Sequence, residues 1–410
     1  MRQRGSDSGS TGEGTPRPGE AMAVVLLPLP PLLLLGMARM ATGPGTPRRA
    51  AVDGSLRRRL RLLAGTAPTR HLAGHVRQVR LVQELKENDT KCRQAMDSGL
   101  YLLFHRLAPF VQRHDSAYRA TWLPAAEVLR VLDVGGQPPE RLHDAVLLDC
   151  TPDLTPRFAL DTGNSGAACA NKGALEAALD GSFMKMRSAF FLLSGKDAHM
   201  LSKGQALLRW HGDHRFSGRS GRLSLRDASG SKRTCPDTGH VQYPQMAPVV
   251  IVLVVDGDRC LLARKDIHPP GMYSTVAGFC DIGENVDMAV RREVAEEVGV
   301  TVSSLNFVFS QHWPFPSSSL MLACHAVAEE GHTEISVDTT ELEDARWFSR
   351  DEVRSAFSRP IPPEVLRGWA VSSQEESSQV ARGDVPFWVP PKWTVAHWLI
   401  REWVQVPKQG

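Results

Sequence analysis

The chain has 410 residues, which is room for two domains of ordinary size with additional segments. Its 42% apolar and 23% charged residues are typical of a soluble globular protein. The net charge of +3 comes largely from the N-terminal segment, so charge does not support a nucleic-acid partner. The seven cysteines are an odd and scattered set, which indicates a reducing compartment and argues against a disulfide framework.

Residues 1–81 are predicted to be a disordered leader. Residues 1–21 are polar and show no periodicity. Residues 22–37 form an apolar run, but it has only 16 residues and three prolines interrupt it, so no transmembrane helix is expected. The run would also fit the core of a signal peptide, with the small residues Ala38 and Ala41 after it.

Residues 48–80 contain nine arginines and a single acid, Asp53, with leucines among the arginines. This Arg-rich, acid-poor and amphipathic composition predicts a mitochondrial transit peptide and therefore a mitochondrial protein. The alternative is a basic disordered arm that contacts RNA or lipid. Translation from Met37 or Met40 would leave the apolar run out of the protein altogether.

Residues 82–205 are predicted to form an N-terminal α+β domain, because short apolar runs alternate with polar turns and with helical patterns. No catalytic group of residues stands out there. Its histidines are far apart in sequence, which is typical of structural rather than ligating side chains. They are His105, His143 and His199.

Residues 206–246 have the outline of a zinc ribbon, in which two C-x2-C knuckles would supply the ligands. The four ligand positions are Ser217, Ser220, Cys235 and Thr238. A structural zinc site needs four good nitrogen or sulfur donors, and one thiolate does not suffice. Histidines also occur nearby, but not at the spacing of a knuckle; they are His211, His214 and His240. We therefore expect a degenerate connector without structural Zn²⁺.

Residues 247–405 are predicted to form the second folded domain. The run 249–255 reads as a buried strand, and 260–263 reads as the strand that returns after a turn. Further strands are expected at 305–309, 319–328 and 345–348. A short helix is expected from Asp351, and an amphipathic helix is expected over 392–404.

Residues 278–300 hold the pattern on which the functional argument depends. Between residues 286 and 298 there is no Pro or Gly, and Val290, Val294 and Val298 recur every four residues. This spacing predicts a helix with one apolar stripe, ended by Gly299.

Three carboxylates share one face of that predicted helix, at Glu293, Glu296 and Glu297. Like charges at these spacings repel by about 0.2–0.5 kcal/mol per pair, so we expect a cation between them. Hard oxygen ligands of this kind suit Mg²⁺ or Mn²⁺. Glu284 and Arg292 are expected to pair across the junction between the preceding Gly-containing loop and the helix.

The same residues match the Nudix box, G-x5-E-x7-R-E-U-x-E-E-x-G-U with U apolar, at every fixed position. Residues 310–321, SQHWPFPSSSLM, then resemble the motif S-Q-P-W-P-F-P-x-S-L-M of the NADH pyrophosphatase branch of that family. The resemblance also covers residues 243–245, Glu341 and residues 389–396. Departures are His312 in place of Pro, one extra serine between Pro316 and Leu320, and the lost zinc ligands. The chain is most similar to the mitochondrial member of the branch.

The resemblance implies an α+β protein in which a Nudix α/β/α sandwich with a mixed sheet follows the connector and the N-terminal domain. It also implies that Glu293, Glu297, Glu341 and the carbonyl of Ala277 hold the metal. Phe279 and Tyr243 would enclose the nicotinamide ring, with Tyr243 supplied by a partner subunit in a homodimer. The remaining substrate-binding positions implied are Gln311, Trp313, Phe315, Ser319 and Ala396.

The implied activity is metal-dependent hydrolysis of the pyrophosphate bond of NADH or NADPH. Among the carboxylates Glu296 is our choice as general base, because the metal engages the other two. Simple core packing is the alternative for Trp313 and Phe315. The alternative functions are removal of the NAD cap from RNA, and binding of NAD(H) without hydrolysis. No membrane partner is expected, and nucleic acid is not the favoured substrate.

Overall fold

The computed structural model describes residues 69–114, 117–163, 170–193, 195–359 and 387–405. The arginine run up to residue 61 and the apolar run before it lie outside these residues, and so does the predicted transit peptide for the most part. The leader had been expected to stay disordered up to residue 81, and there the structure differs. Helix α1, Thr69–Glu87, occupies the end of that segment. Its Leu81 and Leu85 pack in the core of the following domain, and this burial orders the helix.

The N-terminal domain is a seven-stranded mixed sheet flanked by helices, as the predicted α+β class requires. Its main strand order is β3-β2-β1-β6-β5, with β1 and β6 parallel. The strands are β1 Leu100–His105, β2 Ala108–His114, β3 Ala117–Ala120, β4 Leu123–Pro124, β5 Val146–Cys150, β6 Pro156–Asp161 and β7 Ser182–Phe183. The helices after α1 are α2 Asp89–Met96, α3 Ala125–Val134, α4 Lys172–Leu179, α5 Met186–Leu192 and α6 Gly195–Asp213, and a 3-10 helix spans Pro139–Asp144.

Two apolar clusters cover the two faces of this sheet. One includes Tyr101, Leu103 and Phe158, and the other includes Leu102 and Phe104, as the alternation of side chains along a strand requires. Helix α6 packs on the second face and continues to Asp213. The N-terminal domain therefore ends about two helical turns beyond the expected boundary at residue 205.

The connector folds as a small three-stranded antiparallel sheet of β8 Leu225–Arg226, β9 Arg233–Thr234 and β10 Val241–Gln242. The degenerate ligand positions make hydrogen bonds within the connector. Ser217 Oγ lies 3.4 Å from His240 Nδ1, and Ser220 Oγ lies 3.5 Å from Cys235 Sγ. The hydrogen bond with Ser220 is the largest cause that lowers the pKa of Cys235 to about 7.

The second domain is a six-stranded mixed sheet with the main order β14-β15-β11-β12-β16. Its strands are β11 Ala247–Asp256, β12 Arg259–Arg264, β13 Val276–Phe279, β14 Val302–Trp313, β15 Ser319–Ala328 and β16 Asp344–Ser349. The ten-residue β11 runs parallel to β15 on one side. On its other side it pairs first with β13 and then with β12, so these two strands share one edge.

Helices cover both faces of this sheet, which confirms the predicted α/β/α sandwich. The helices are α7 Val286–Val298, α8 Arg350–Phe357 and α9 Val395–Gln405. Val250, Val252 and Val254 of β11 face α7, whereas Ile251 and Leu253 face α8 and α9. Among the described residues no helix combines the length and apolar character needed to span a bilayer.

Helix α7 has the bounds that the sequence predicts, because its signals are local. The side chain of Asn285 caps it by accepting a hydrogen bond from Met288 N at 2.9 Å. Val290, Val294 and Val298 are fully buried against the sheet. Gly299 ends the helix with φ of 70°, a left-handed conformation that glycine adopts without strain.

Candidate active site

A cavity of about 680 Å³ opens between the second domain and the N-terminal domain. Alternate residues of three adjacent strands form its floor, because the register places them side by side on one face. These residues are Val249 and Ile251 of β11, Ala277 and Phe279 of β13, and Ser319 and Met321 of β15. Acidic side chains line the adjacent wall: Asp281, Glu293, Glu296, Glu297 and Glu341.

Glu293 reaches this wall because residue 278 is a glycine and leaves space for the Glu293 carboxylate. Gly278 of β13 lies opposite Val250, so a side chain at 278 would point toward helix α7. A Cβ there would come within 1.9 Å of the Glu293 carboxyl carbon. The carboxylate is almost buried, and this burial is the main reason that its pKa is raised.

Arg292 joins the box loop to helix α7. Its guanidinium donates to both carboxylate oxygens of Glu284, at 2.7 and 2.8 Å, and to the carbonyl of Phe279 at 2.8 Å. The same guanidinium donates to Glu293 and Glu296, each at 2.9 Å. Hydrogen bonds from Arg292 are the main cause that lowers the pKa of Glu284 to about 2. This bidentate pair holds the loop in place and leaves Glu284 a structural anion.

Glu297 is the most deeply buried acid of the wall, with 2% of its surface exposed. Burial raises the pKa of its carboxyl group more than the nearby charge of Lys265 lowers it. Lys265 Nζ donates to Glu297 Oε1 at 2.9 Å. The other oxygen, Oε2, is buried and has no hydrogen-bond partner among the described residues. An orphaned anionic oxygen in this position needs a cation or a donor that the side chains do not supply.

The donor set of the wall fits a hard divalent cation. All the groups are carboxylate or carbonyl oxygens, which Mg²⁺ and Mn²⁺ prefer. Glu293 and Glu341 are both close enough to Glu297 to raise its pKa. In the described part of the chain, however, no three His, Cys, Asp or Glu side chains converge within metal-binding distance. Lys265 instead supplies the positive charge beside Glu297.

The predicted substrate-binding residues do not all reach the cavity. Phe279, Trp313, Phe315, Ser319 and Ala396 line it. Gln311 does not, because its amide donates to the carbonyl of Trp393 at 2.9 Å and so braces the segment before α9. Tyr243 does not line the cavity of its own chain either, and it is 61% exposed.

Residues 310–321 carry His312 and an extra serine as departures from the family motif, and His312 contacts the run of three serines. His312 Nε2 lies 2.9 Å from the hydroxyl of Ser318, one of the three consecutive serines. Ser318 is buried and has φ of 97°, a strained conformation that this contact helps to hold. Arg209 of α6 donates to the carbonyls of Pro314, at 3.4 Å, and of Pro316. The N-terminal domain thus fixes the segment.

Sequence reasoning missed two basic residues of the cavity, Lys265 and Arg187. Lys265 follows β12 and is outside the box, and Arg187 belongs to α5 of the other domain. No motif or spacing marks either residue. Only the tertiary structure brings them to the carboxylates and to the 310–321 segment.

Comparisons with known proteins find one family match in each of the two folded domains. The family model described as "NUDIX domain" matches residues 245–368, and the one described as "NADH pyrophosphatase-like rudimentary NUDIX domain" matches residues 98–210. Human "NAD(P)H pyrophosphatase NUDT13, mitochondrial" is 47% identical over 82% of this chain and 93% of its own length. The mouse protein of that name is 46% identical over the same shares. Human "NAD-capped RNA hydrolase NUDT12" is 37% identical over 53% of this chain and 44% of its own length.

Proposed function

This chain belongs to the Nudix hydrolase family, in its NADH pyrophosphatase branch, and we propose on that basis that it is an NAD(P)H pyrophosphatase. It hydrolyses NADH to reduced nicotinamide mononucleotide and AMP, and NADPH to reduced nicotinamide mononucleotide and 2′,5′-ADP. The complete set of box carboxylates on one cavity wall carries the proposal, since a binding protein has no need of it. The location of the protein is mitochondrial, as in the two NUDT13 relatives.

Nudix hydrolases use divalent metals, and we propose Mg²⁺ or Mn²⁺ here. Glu293, Glu297, Glu341 and the carbonyl of Ala277 would hold the metal, and the unpartnered Oε2 of Glu297 supports this assignment. When bound, the metal neutralises the charge of the pyrophosphate and of the leaving phosphate. No zinc is proposed for the connector, because hydroxyl groups at three of the four positions are poor zinc donors.

The protein's own groups position the reaction. Arg292 and Glu284 hold the loop, and Gly278 lets Glu293 reach the cavity. Glu296 is our choice of general base, because its side chain is 59% exposed and its one hydrogen bond among the described residues is with Arg292, at 2.9 Å. It takes a proton as water attacks one phosphorus atom. The new bond joins the water oxygen to that phosphorus, and the bridging oxygen leaves with the other phosphate.

Two aromatic rings support a substrate clamp across a homodimer. Phe279 is 53% exposed at the cavity, and Tyr243 is 61% exposed outside it. Phe279 stacks on the nicotinamide ring in this proposal, and Tyr243 of a second copy covers the other side. Such stacking is worth about 0.5–1.5 kcal/mol beyond the buried area.

Hydrolysis in water enriched in oxygen-18 tests the proposal. One labelled oxygen in one of the two mononucleotide products is expected, with both products formed in equal amounts. Binding of NADH without products would instead favour a binding module. Release of RNA with a 5′-monophosphate from NAD-capped RNA, without turnover of free NADH, would favour the function named for the NUDT12 relative.

A further inference from the structure

Among the described residues, Arg187 is the one from the N-terminal domain that lines the cavity. All the other residues that line it belong to the second domain. Arg187 lies at the start of α5, Met186–Leu192, and its guanidinium lies 5.3 Å from the centre of the Phe315 ring. Arg209 also donates hydrogen bonds to the segment that holds Phe315, so both domains contribute to this end of the cavity.

The charge of Arg187 is not balanced by an acid. Two other basic side chains of the cavity have acidic partners: Arg292 pairs with glutamates of the box, and Lys265 pairs with Glu297. Arg187 has no hydrogen bond or ion pair with any described residue, and burial alone lowers its pKa. Its side chain is open to the solvent of the cavity, yet enough protein surrounds the guanidinium to weaken its hydration.

Arg187 and the carboxylates are supplied to the cavity by different elements: Arg187 comes from α5, whereas Glu293, Glu296 and Glu297 come from α7. No acid shifts the pKa of Arg187. Burial is the main cause that lowers the pKa of His268 to about 4, and the charges of Arg264, Lys265 and Arg187 lower it further. The guanidinium lies beside the ring of Phe315, and its charge also reaches His268, another residue that lines the cavity.

We propose that Arg187 binds the 2′-phosphate of NADPH, with the ring of Phe315 beside it against the adenosine. This inference rests on the proposed function, and it makes Arg187 a specificity-determining residue. The 2′-phosphate is the anionic group that NADPH has in addition to its pyrophosphate, and it carries a charge of about −1.5 to −2 near neutral pH. A guanidinium offers paired donors that match phosphate oxygens, and such charged hydrogen bonds are about twice as strong as neutral ones.

The test compares Arg187→Gln, Arg187→Lys and the wild type on NADH and NADPH. Arg119 of β3 is an exposed arginine outside the cavity, so Arg119→Gln is a matched control for the loss of one charge. We expect Arg187→Gln to lower kcat/KM for NADPH by about tenfold to a hundredfold, with NADH changed less than about twofold. Arg187→Lys keeps the charge but not the paired donors, so an intermediate loss is expected. Inhibition by 2′,5′-ADP should weaken in parallel, while inhibition by AMP should not.

Several outcomes would overturn the inference while leaving the proposed function in place. Equal losses on NADH and NADPH would place Arg187 at the pyrophosphate. A loss on NAD-capped RNA alone would assign it to the 3′-phosphodiester. A wild type that hydrolyses NADH but neither hydrolyses NADPH nor binds 2′,5′-ADP more tightly than AMP would leave Arg187 without this ligand. If the wild type hydrolyses neither dinucleotide, both the proposed function and the inference fail. Melting curves of all variants exclude misfolding as the cause.

Discussion

The carboxyl group of Glu293 lies against the Cα of Gly278, where any side chain would meet the carboxyl carbon at 1.9 Å. Glu293 and Gly278 are 15 residues apart in the chain, and their contact ties the loop of the box to its helix. The carboxylate is the end of a flexible side chain, so it is the group that must move if 278 is substituted.

Gly278→Ala should therefore separate activity from stability. The added methyl group displaces the Glu293 carboxylate, and we expect turnover to fall by about 10²-fold, as for the loss of one electrostatic element. The melting temperature should change little, because no positive φ is needed at 278. Gly173→Ala is the control, since its Cβ would meet nothing closer than 3.6 Å. Full activity of Gly278→Ala would contradict the placement of Glu293.

Glu297→Gln should remove most activity and leave the fold intact. The substitution withdraws a charge from the wall, and losses of about 10²–10³ in turnover are typical of one such element. The fold should be kept, because the amide oxygen can still accept from Lys265 and the amide replaces a buried carboxylate whose pKa burial already raises. Steady-state turnover and thermal unfolding are measured on the same samples. Unchanged turnover would exclude Glu297 as a metal ligand.

Phe279→Ala tests the ring clamp. If Phe279 stacks on nicotinamide, its removal should raise KM for NADH by about threefold to tenfold and leave KM for ADP-ribose nearly unchanged, because ADP-ribose has no such ring. Tyr243→Ala should behave in the same way if a second copy supplies that ring. Equal effects on the two substrates would place Phe279 outside the nicotinamide site.

The mature N-terminus is expected between about residues 60 and 82 after import into mitochondria. The structure favours the early part of this range, since Gln78 of α1 donates to the carbonyl of Cys150 at 3.1 Å and Leu85 is buried. N-terminal sequencing of protein from cells measures it. An uncleaved chain, or one in the secretory pathway, would contradict the transit-peptide interpretation.

The purified protein should hold no stoichiometric zinc. Ser217, Ser220 and Thr238 hold hydroxyl groups that stay protonated near neutral pH, so they cannot replace three thiolates. Metal analysis is combined with melting curves in the presence and absence of a zinc-selective chelator. One zinc per chain with a chelator-dependent melting temperature would show that histidines have replaced the lost ligands.

The parts of this site that the sequence predicted are those with local causes. Helix α7 follows from its valine stripe and from Gly299, which lie within one segment, and the structure adds the Asn285 cap. The pairing of Arg292 with Glu284 also follows, because the two residues flank the start of the same helix. The sequence did not predict helix α1, because burial against the following domain stabilises the helix and its own composition does not indicate it.

The remaining parts depend on contacts between distant segments. Lys265 meets Glu297 across 32 positions of the chain, and Arg187 meets Phe315 only through the packing of one domain on the other. The sequence could not predict the contact between His312 and Ser318, for a different reason. His312 and the extra serine are both visible in the sequence, but only the structure shows that His312 contacts the serine run.

Turnover of NADH by the purified wild-type protein, compared with NAD⁺, NADPH and NAD-capped RNA in Mg²⁺ or Mn²⁺, tests the central claim most directly. We predict that NADH and NADPH give the highest kcat/KM, that AMP or 2′,5′-ADP appears with reduced nicotinamide mononucleotide, and that chelation of the metal abolishes turnover. Tight binding of NADH without hydrolysis under these conditions, or hydrolysis confined to capped RNA, would contradict the assignment.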